Sequence, residues 1–169
     1  MATTMLKGNT VNLAGKEINV GDVAPEVTLP TMELADITVG GAKDKVQLVV
    51  VVPSLDTPVC ATETRQFNTK ATSLDGVETT IVSMDLPFAS KRFCSTEGIE
   101  NLKVTSDFRA KEFGNSFGML VADGPLAGVL ARAIFVIGTD GKVAYKQLVP
   151  EITAEPNYDE AIEAAKSAK

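Results

Sequence analysis

The sequence predicts an α/β fold in which a mixed central sheet carries helices on both faces. Val46–Val52 is an almost unbroken run of apolar, β-branched residues that ends at Pro53, as in a strand buried on both faces. A helical segment and a second apolar strand follow, which indicates a parallel strand–helix–strand unit with a right-handed crossover. Farther along the chain, Asp140-Gly141 separates two more strand patterns and is typical of a two-residue hairpin turn.

Short segments rich in β-branched residues, bounded by glycine, proline or aspartate, predict the other strands. Residues 1–20 are expected to form a β-hairpin, whose strands Val11–Leu13 and Glu17–Val20 flank Ala14-Gly15-Lys16. After this hairpin, strands are expected at Val27–Leu29, Ile37–Val39, Val77–Met84, Lys103–Thr105, Ala133–Ile137 and Val143–Val149.

Start signals predict the helices. Thr57 supplies a capping hydroxyl for the first helix, and Pro58 occupies the first helical position, where a missing N–H costs nothing. The other helices are expected at Pro87–Gly98, Asp107–Phe113 and Asn157–Ala168. This order of elements predicts a thioredoxin-like sandwich with an N-terminal β-hairpin, as a single domain over residues 1–169.

Composition and charge exclude several classes of protein. No apolar run approaches the ~18 residues of a membrane span and no signal-peptide segment is present, so a cytoplasmic protein without membrane contact is expected. The net charge is −6 and the basic residues are scattered, so nucleic acid is not an expected partner. The chain has no histidine, which excludes Ser-His and Cys-His pairs and an ordinary structural zinc site. We therefore expect no metal and no cofactor, and chemistry from Cys, Arg, Lys, Thr or carboxylates.

Cys60 falls at the third position of the first predicted helix. First-turn N–H groups lack intrahelical acceptors and the helix dipole is positive there, so a thiolate is favoured over a thiol. Cys60 also begins an apolar stripe with Phe67, Ala71 and Leu74 that would face the sheet. Free cysteine is among the residues most often buried, so the spacing alone is compatible with a reactive and with a purely structural cysteine.

Arg132 is the sole charged residue in the apolar stretch from Gly124 to Ile137. Burying a guanidinium group is costly unless an anion meets it. The pattern therefore predicts an ion pair with an internal carboxylate, an edge position that faces water, or an anion-binding site.

Cys94 belongs to the second predicted helix. Leu86, Ala89 and Phe93 mark the core stripe of that helix and Cys94 falls beside it, so Cys94 is expected at the edge of burial. Taken alone, it is compatible with an incidental cysteine at the core boundary.

A motif resembles a known family. Residues 53–60, P-S-L-D-T-P-V-C, fit the P-x-x-x-(T/S)-x-x-C signature of the peroxiredoxins. The N-terminal hairpin and the segments D-L-P-F-A-S-K-R-F-C, A-D-G-P-L and A-R-A-I-F-V-I resemble the bacterial thiol peroxidase subgroup of that family. The resemblance extends over nearly the whole chain.

This resemblance implies an atypical two-cysteine peroxidase acting on hydrogen peroxide and alkyl hydroperoxides. It implies Cys60 as the peroxidatic cysteine, which becomes a sulfenic acid, and Cys94 as the resolving cysteine, which joins it in an intramolecular disulfide. Thr57 and Arg132 are implied as activators of sulfur and peroxide, and Pro53 as a shield over the pocket. Thioredoxin is the implied reductant, and a homodimer the implied assembly.

Further expectations concern the pocket and the two sulfurs. Leu55, Val59 and Phe93 are expected to form an apolar rim. The sulfurs of Cys60 and Cys94 are expected to be separated in the reduced protein and to meet only after local unwinding. Two other functions remain open from the residues: a non-enzymatic redox sensor with a Cys60–Cys94 switch, and a thioredoxin-like binding domain with two incidental cysteines.

Overall fold

A computed structural model describes residues 2–71 and 73–168. In this part of the chain the strands are β1 Thr3–Leu6, β2 Asn9–Ala14, β3 Val27–Pro30, β4 Asp36–Val39, β5 Val46–Val51, β6 Val77–Ser83, β7 Lys103–Ser106, β8 Leu120–Val121, β9 Ala133–Ile137 and β10 Val143–Leu148. The helices are α1 Pro58–Ala71, α2 Pro87–Glu97, α3 Glu112–Phe117 and α4 Tyr158–Ser167.

The central sheet has five strands in the order β10-β9-β5-β6-β7. β5 pairs in parallel with β6, and β6 in parallel with β7. β9 runs antiparallel to β5 on one side and to β10 on the other. The predicted mixed sheet, with its parallel strand–helix–strand unit, is therefore confirmed.

Strand β5 separates two apolar cores, because its side chains alternate between the faces of the sheet. All six of its residues are buried. Val49 and Val51 contribute to the core that α3 and the N-terminal strands cover. Leu48 and Val50 contribute to the opposite core, together with apolar residues of α1, α2 and α4. The prediction of helices on both faces is confirmed.

The N-terminal hairpin exists, and the predicted strand Val11–Leu13 lies within β2, but the predicted second strand, Glu17–Val20, was wrong. β1 pairs with β2 from Thr3↔Asn12 to Leu6↔Asn9, and Lys7 and Gly8 form the two-residue turn with positive φ angles of 51° and 81°. Residues 17–20 form no strand, because the chain leaves β2 to contact α3: the amide of Lys16 donates to the carbonyl of Asn115 at 2.8 Å. The partner of β2 on its other side is β8.

Helix α3 begins later than predicted. Residues 107–110 form a turn rather than helix, and Lys111 adopts a left-handed conformation before Glu112. Asp107 still caps the helix, because its carboxylate accepts from the amides of Phe113 at 2.9 Å and Gly114 at 2.8 Å. Asp107, the predicted first residue of the helix, therefore caps it from across a turn.

Among the residues that the structure describes, none of the helices combines the length and the apolar character needed to cross a membrane.

Candidate active site

The loop that joins β5 to α1 is held by a half-buried hydrogen-bond network. The carboxylate of Asp85 accepts from the Ser54 hydroxyl and the Leu55 amide, both at 2.7 Å, and from the Ser83 hydroxyl at 2.8 Å. Because these donors come from the ends of neighbouring strands β5 and β6, the loop has little freedom at the start of α1.

The predicted start of α1 is confirmed in detail. Pro58 is the first helical residue, and the amide of Cys60 donates to the Thr57 hydroxyl at 3.4 Å. Cys60 therefore lies in the first turn, at the carboxyl end of β5. Its side chain is fully buried against the sheet, in the stripe shared with Phe67, as the spacing predicted.

Strand pairing brings Arg132 to this point. Val51 at the end of β5 pairs with Ala133 at the start of β9, so Arg132 lies level with the loop that precedes α1. The side chain of Ile134 faces α1, and alternation places Arg132 on the same side. The Nη1 atom of Arg132 lies 3.2 Å from the Cys60 sulfur, although the residues are 72 positions apart. This proximity is what the implied role of Arg132 as an activator of the sulfur requires.

The same guanidinium group contacts Glu63, a residue that the sequence interpretation missed. Arg132 Nη1 lies 2.6 Å from Glu63 Oε2, and Arg132 Nε donates to the carbonyl of Ile152 at 2.8 Å. Arg132 is 2% exposed and Glu63 is fully buried. The ion pair with an internal carboxylate, one of the alternatives from sequence, is present, and the same nitrogen also contacts the sulfur. The available signal was the position of Glu63, three residues after Cys60 on the buried face of α1.

Burial and charge act in opposite directions on this cluster. Burial raises the pKa of Glu63 to about 7, although the charge and the hydrogen bond of Arg132 oppose the rise. Burial by itself would lower the pKa of Arg132, but its charge and hydrogen-bond interactions with Cys60 and Glu63 outweigh burial, and the net shift is upward. Glu63 Oε1 is buried and has no hydrogen-bond partner among the described residues.

An apolar cavity of about 240 Å³ adjoins Arg132, Thr57 and Pro53. Its other apolar walls come from the N-terminal hairpin, from α1, from the segment before β9 and from the segment after β10. These residues are Leu6, Pro58, Val59, Leu126, Val129 and Ile152. Of the three predicted rim residues, Val59 is here. Leu55 and Phe93 instead line a groove of about 550 Å³ between α1 and α2, so Val59 alone of the three borders the cavity beside Arg132.

Cys94 is more buried than predicted. α2 presents Pro87, Ser90 and Cys94 to the core, whereas Leu86 is 50% exposed and Ala89 is exposed as well. The expected edge position was wrong, because α2 packs on the sheet through a face one position away from its apolar stripe. Cys60 and Cys94 are both free thiols in the same apolar core. Burial raises the pKa of Cys94 to about 11.

The fold and the sulfur–guanidinium contact define a thiol-based redox protein with the thioredoxin fold. The Redoxin family profile matches residues 19–162. The chain is 56% identical over 164 residues to a thiol peroxidase from Aquifex aeolicus, covering 97% of this chain and 96% of that protein. It is 57% identical over 157 residues to a thiol peroxidase from Campylobacter jejuni, covering 93% and 89%.

Solved structures agree with these relatives. A crystal structure of a peroxiredoxin-like protein from Aquifex aeolicus matches with a TM-score of 0.97 at 54% identity, covering 100% of this chain and 98% of that one. A thiol peroxidase from Chromobacterium violaceum has the same fold, with a TM-score of 0.86 at 18% identity over 98% and 95% of the two chains. The chain belongs to the redoxin family and, within it, to the peroxiredoxins of thiol peroxidase type. It is a thiol-dependent peroxidase, and its relatives imply a peroxide substrate and a thiol reductant.

Proposed function

We propose that this peroxidase reduces hydrogen peroxide and organic hydroperoxides through a sulfenic acid on Cys60. The observation that carries the proposal is the 3.2 Å contact between Arg132 Nη1 and the Cys60 sulfur, in a buried site at the start of α1. A buried cation and the first-turn amides both favour a thiolate over a thiol. A sulfur so placed is a nucleophile rather than a core-filling residue.

In the proposed reaction, the Cys60 thiolate attacks one peroxide oxygen and forms the S–O bond while the O–O bond breaks. Sulfur loses two electrons to the peroxide, and the second oxygen leaves as an alcohol or as water after it takes up a proton. Arg132 and the first-turn amides of α1 stabilise the negative charge that develops on the oxygens. Thr57 holds the first turn through its hydroxyl, and Pro53 walls the cavity against water.

Cys94 is the proposed resolving residue. Its thiol condenses with the Cys60 sulfenic acid, which gives an intramolecular disulfide and water. Two features of the helices support the local unwinding that this step needs. Three threonine hydroxyls of α1, those of Thr62, Thr64 and Thr69, donate back to carbonyls four residues earlier, which weakens a helix. Within the described part of the chain, no side chain caps the start of α2.

Thioredoxin is the proposed reductant of this disulfide and the cytoplasm the proposed compartment, where free thiols are maintained. We also propose a homodimer. The outer face of α2 carries Leu86, which is 50% exposed, and Phe88, which is 70% exposed, and a second copy would cover them. Sedimentation of Phe88→Ser alongside the parent chain tests this, because an unchanged oligomeric state would rule out this face.

Organic hydroperoxides are proposed as substrates because the cavity beside Arg132 has mostly apolar walls. The deciding experiment measures peroxide consumption with a thioredoxin system, comparing hydrogen peroxide with a bulky organic hydroperoxide. We expect repeated turnover with both, and an organic substrate reduced at least as fast. A strong preference for hydrogen peroxide would contradict the substrate proposal. A single turnover despite excess reductant would favour the redox sensor instead.

A further inference from the structure

Glu63 and the Cys60 sulfur share one cation. Both accept from the same nitrogen, Arg132 Nη1, at 2.6 Å and 3.2 Å, and all three side chains are buried. If Cys60 and Glu63 were both ionised, the cluster would hold two negative charges against one positive charge. An uncompensated buried charge is strongly destabilising, so the neutral arrangement has one anion at a time.

We propose that Glu63 exchanges charge with Cys60: Glu63 is protonated while the sulfur is a thiolate, and it ionises when the sulfur is oxidised. Arg132 then faces one anion before and after the reaction. This inference rests on the proposed role of Cys60. It makes Glu63 a positioning residue that acts through Arg132.

The geometry of Glu63 leaves room for the proton. Oε2 is bound to Arg132, whereas Oε1 is buried without a hydrogen-bond partner among the described residues. A bare, buried carboxylate oxygen carries the full cost of desolvation, and a proton on it removes the charge that makes the cost large. The upward shift of the Glu63 pKa to about 7 agrees with this assignment.

The proton count of the peroxide reaction balances with this exchange. The reactants are the Cys60 thiolate, protonated Glu63 and the hydroperoxide. The products are the Cys60 sulfenic acid, ionised Glu63 and the alcohol. Sulfur is oxidised by two electrons, the O–O bond is reduced, and the proton that the leaving alkoxide takes up is matched by the proton that Glu63 releases. Condensation with the Cys94 thiol then releases water with no further change in protons.

The charged and titratable groups that face Glu63 determine whether its carboxyl is ionised or protonated. Arg132, from the segment before β9, favours the ionised carboxylate. Glu155, before α4, favours the protonated form. Tyr158 on α4 donates to Glu155 at 2.8 Å, and burial, this hydrogen bond and the charge of Glu63 together raise the pKa of its phenol, so Tyr158 remains neutral. Cys60 on α1 is the group whose charge changes during the reaction.

The test is the proton stoichiometry of one turnover. Reduced protein is mixed with one equivalent of hydroperoxide in weakly buffered solution with a pH indicator, and loss of both thiols is counted in the same sample. At pH 6 we expect almost no net proton uptake by the parent chain. The parent value should rise to one proton per turnover as the pH increases through about 7, because Glu63 is then already ionised at rest.

Glu63→Gln preserves the size and the acceptor oxygen of the side chain but has no proton to release. We expect it to take up about one proton per turnover at every pH in this range. Glu155→Gln is the matched control, because it removes a nearby charge that does not contact Arg132, and it should retain the rising profile of the parent. Infrared difference spectra of the parent should show the loss of a protonated carboxyl band on oxidation. Spectra of Glu63→Gln should not show this loss.

The outcomes separate the two proposals. If the thiols are lost but proton uptake is the same in the parent and in Glu63→Gln, the charge exchange is wrong and the peroxidase proposal is unaffected. If Glu63→Gln does not fold, a flat uptake profile of the parent from pH 6 to pH 8 overturns the exchange by itself. If hydroperoxide does not oxidise the thiols, the proposed role of Cys60 fails first.

Discussion

Cys60 and Cys94 are both buried in the core that α1, α2 and α4 form on one face of the central sheet, but the charges around the two sulfurs differ. Cys60 lies in a first helical turn with a guanidinium at 3.2 Å. Cys94 lies in the second half of α2, and burial alone raises its pKa to about 11. Burial therefore does not decide the reactivity of a cysteine. In the proposed function, the cation that is buried with Cys60 makes its sulfur the nucleophile, whereas Cys94 remains a neutral thiol.

The largest expected effect is that of removing the nucleophile. Cys60→Ser should lower peroxidase turnover at least about 10⁴-fold, because a hydroxyl is not ionised in this site. Peroxide consumption in a coupled thioredoxin assay measures it. Activity within tenfold of the parent would show that Cys60 is not the nucleophile.

Cys94→Ser should distinguish the function of Cys94 from that of Cys60. We expect it to consume one equivalent of hydroperoxide at a rate within about twofold of the parent and then to stall as a sulfenic acid that drifts to sulfinic acid. Mass spectrometry follows both products, and in the oxidised parent it should show a Cys60–Cys94 disulfide within one chain. Only intermolecular disulfides in the parent would contradict the resolving role of Cys94.

The pH dependence of cysteine alkylation directly tests the difference in electrostatic surroundings between Cys60 and Cys94. The pKa of Cys94 is raised above its ordinary value of 9.0, so its thiol is protonated at neutral pH and its thiolate population grows as the pH approaches about 11. Alkylation of Cys94 should accelerate about tenfold per pH unit, roughly 10³-fold from pH 7 to pH 10. Peptide mapping gives the rate at each cysteine. A fast, pH-independent reaction of Cys94 would refute the contrast, as would Cys60 reacting as slowly as Cys94 at pH 7.

Replacing the cation should make Cys60 resemble Cys94. Arg132→Met is expected to slow peroxide attack about 10²- to 10³-fold and to lower the thiolate absorbance at neutral pH, because a buried charge partner is lost. The control is Arg92→Met, an exposed arginine two residues from Cys94, which should change the rate less than about twofold. Circular dichroism of both variants verifies folding. Equal rates in the two variants would remove Arg132 from the mechanism.

The smallest expected effect distinguishes the two cavities. Leu6→Ala removes an apolar wall beside Arg132 and should slow a bulky hydroperoxide about three- to tenfold, with little change for hydrogen peroxide. Phe93→Ala alters the groove between α1 and α2 and should leave both initial rates nearly unchanged. Stopped-flow rates with both substrates measure this. A reversal, with Phe93→Ala affecting the bulky substrate, would place the substrate pocket in that groove.

The features that local sequence determines were predicted well. The β5 run and its stop at Pro53, the Thr57 cap with Cys60 in the first turn of α1, and the bounds of β9 agree with the structure. Each depends on residues within a few positions of one another, where propensity, capping and proline geometry act directly. The position of Cys60 in a first helical turn was therefore visible in the sequence.

Other features of the protein were decided only by the tertiary structure, because they depend on residues that are distant in the chain. The pairing of β5 with β9 brings Arg132 to Cys60, and Glu63 becomes part of the site because α1 turns that face toward the guanidinium. Strand pairing also set the partner of β2, and the packing of α2 buried Cys94 instead of Leu86. A sequence pattern shows which residues favour burial. Which charges are buried together follows from strand register and helix rotation, because these place side chains from separate segments within hydrogen-bonding distance.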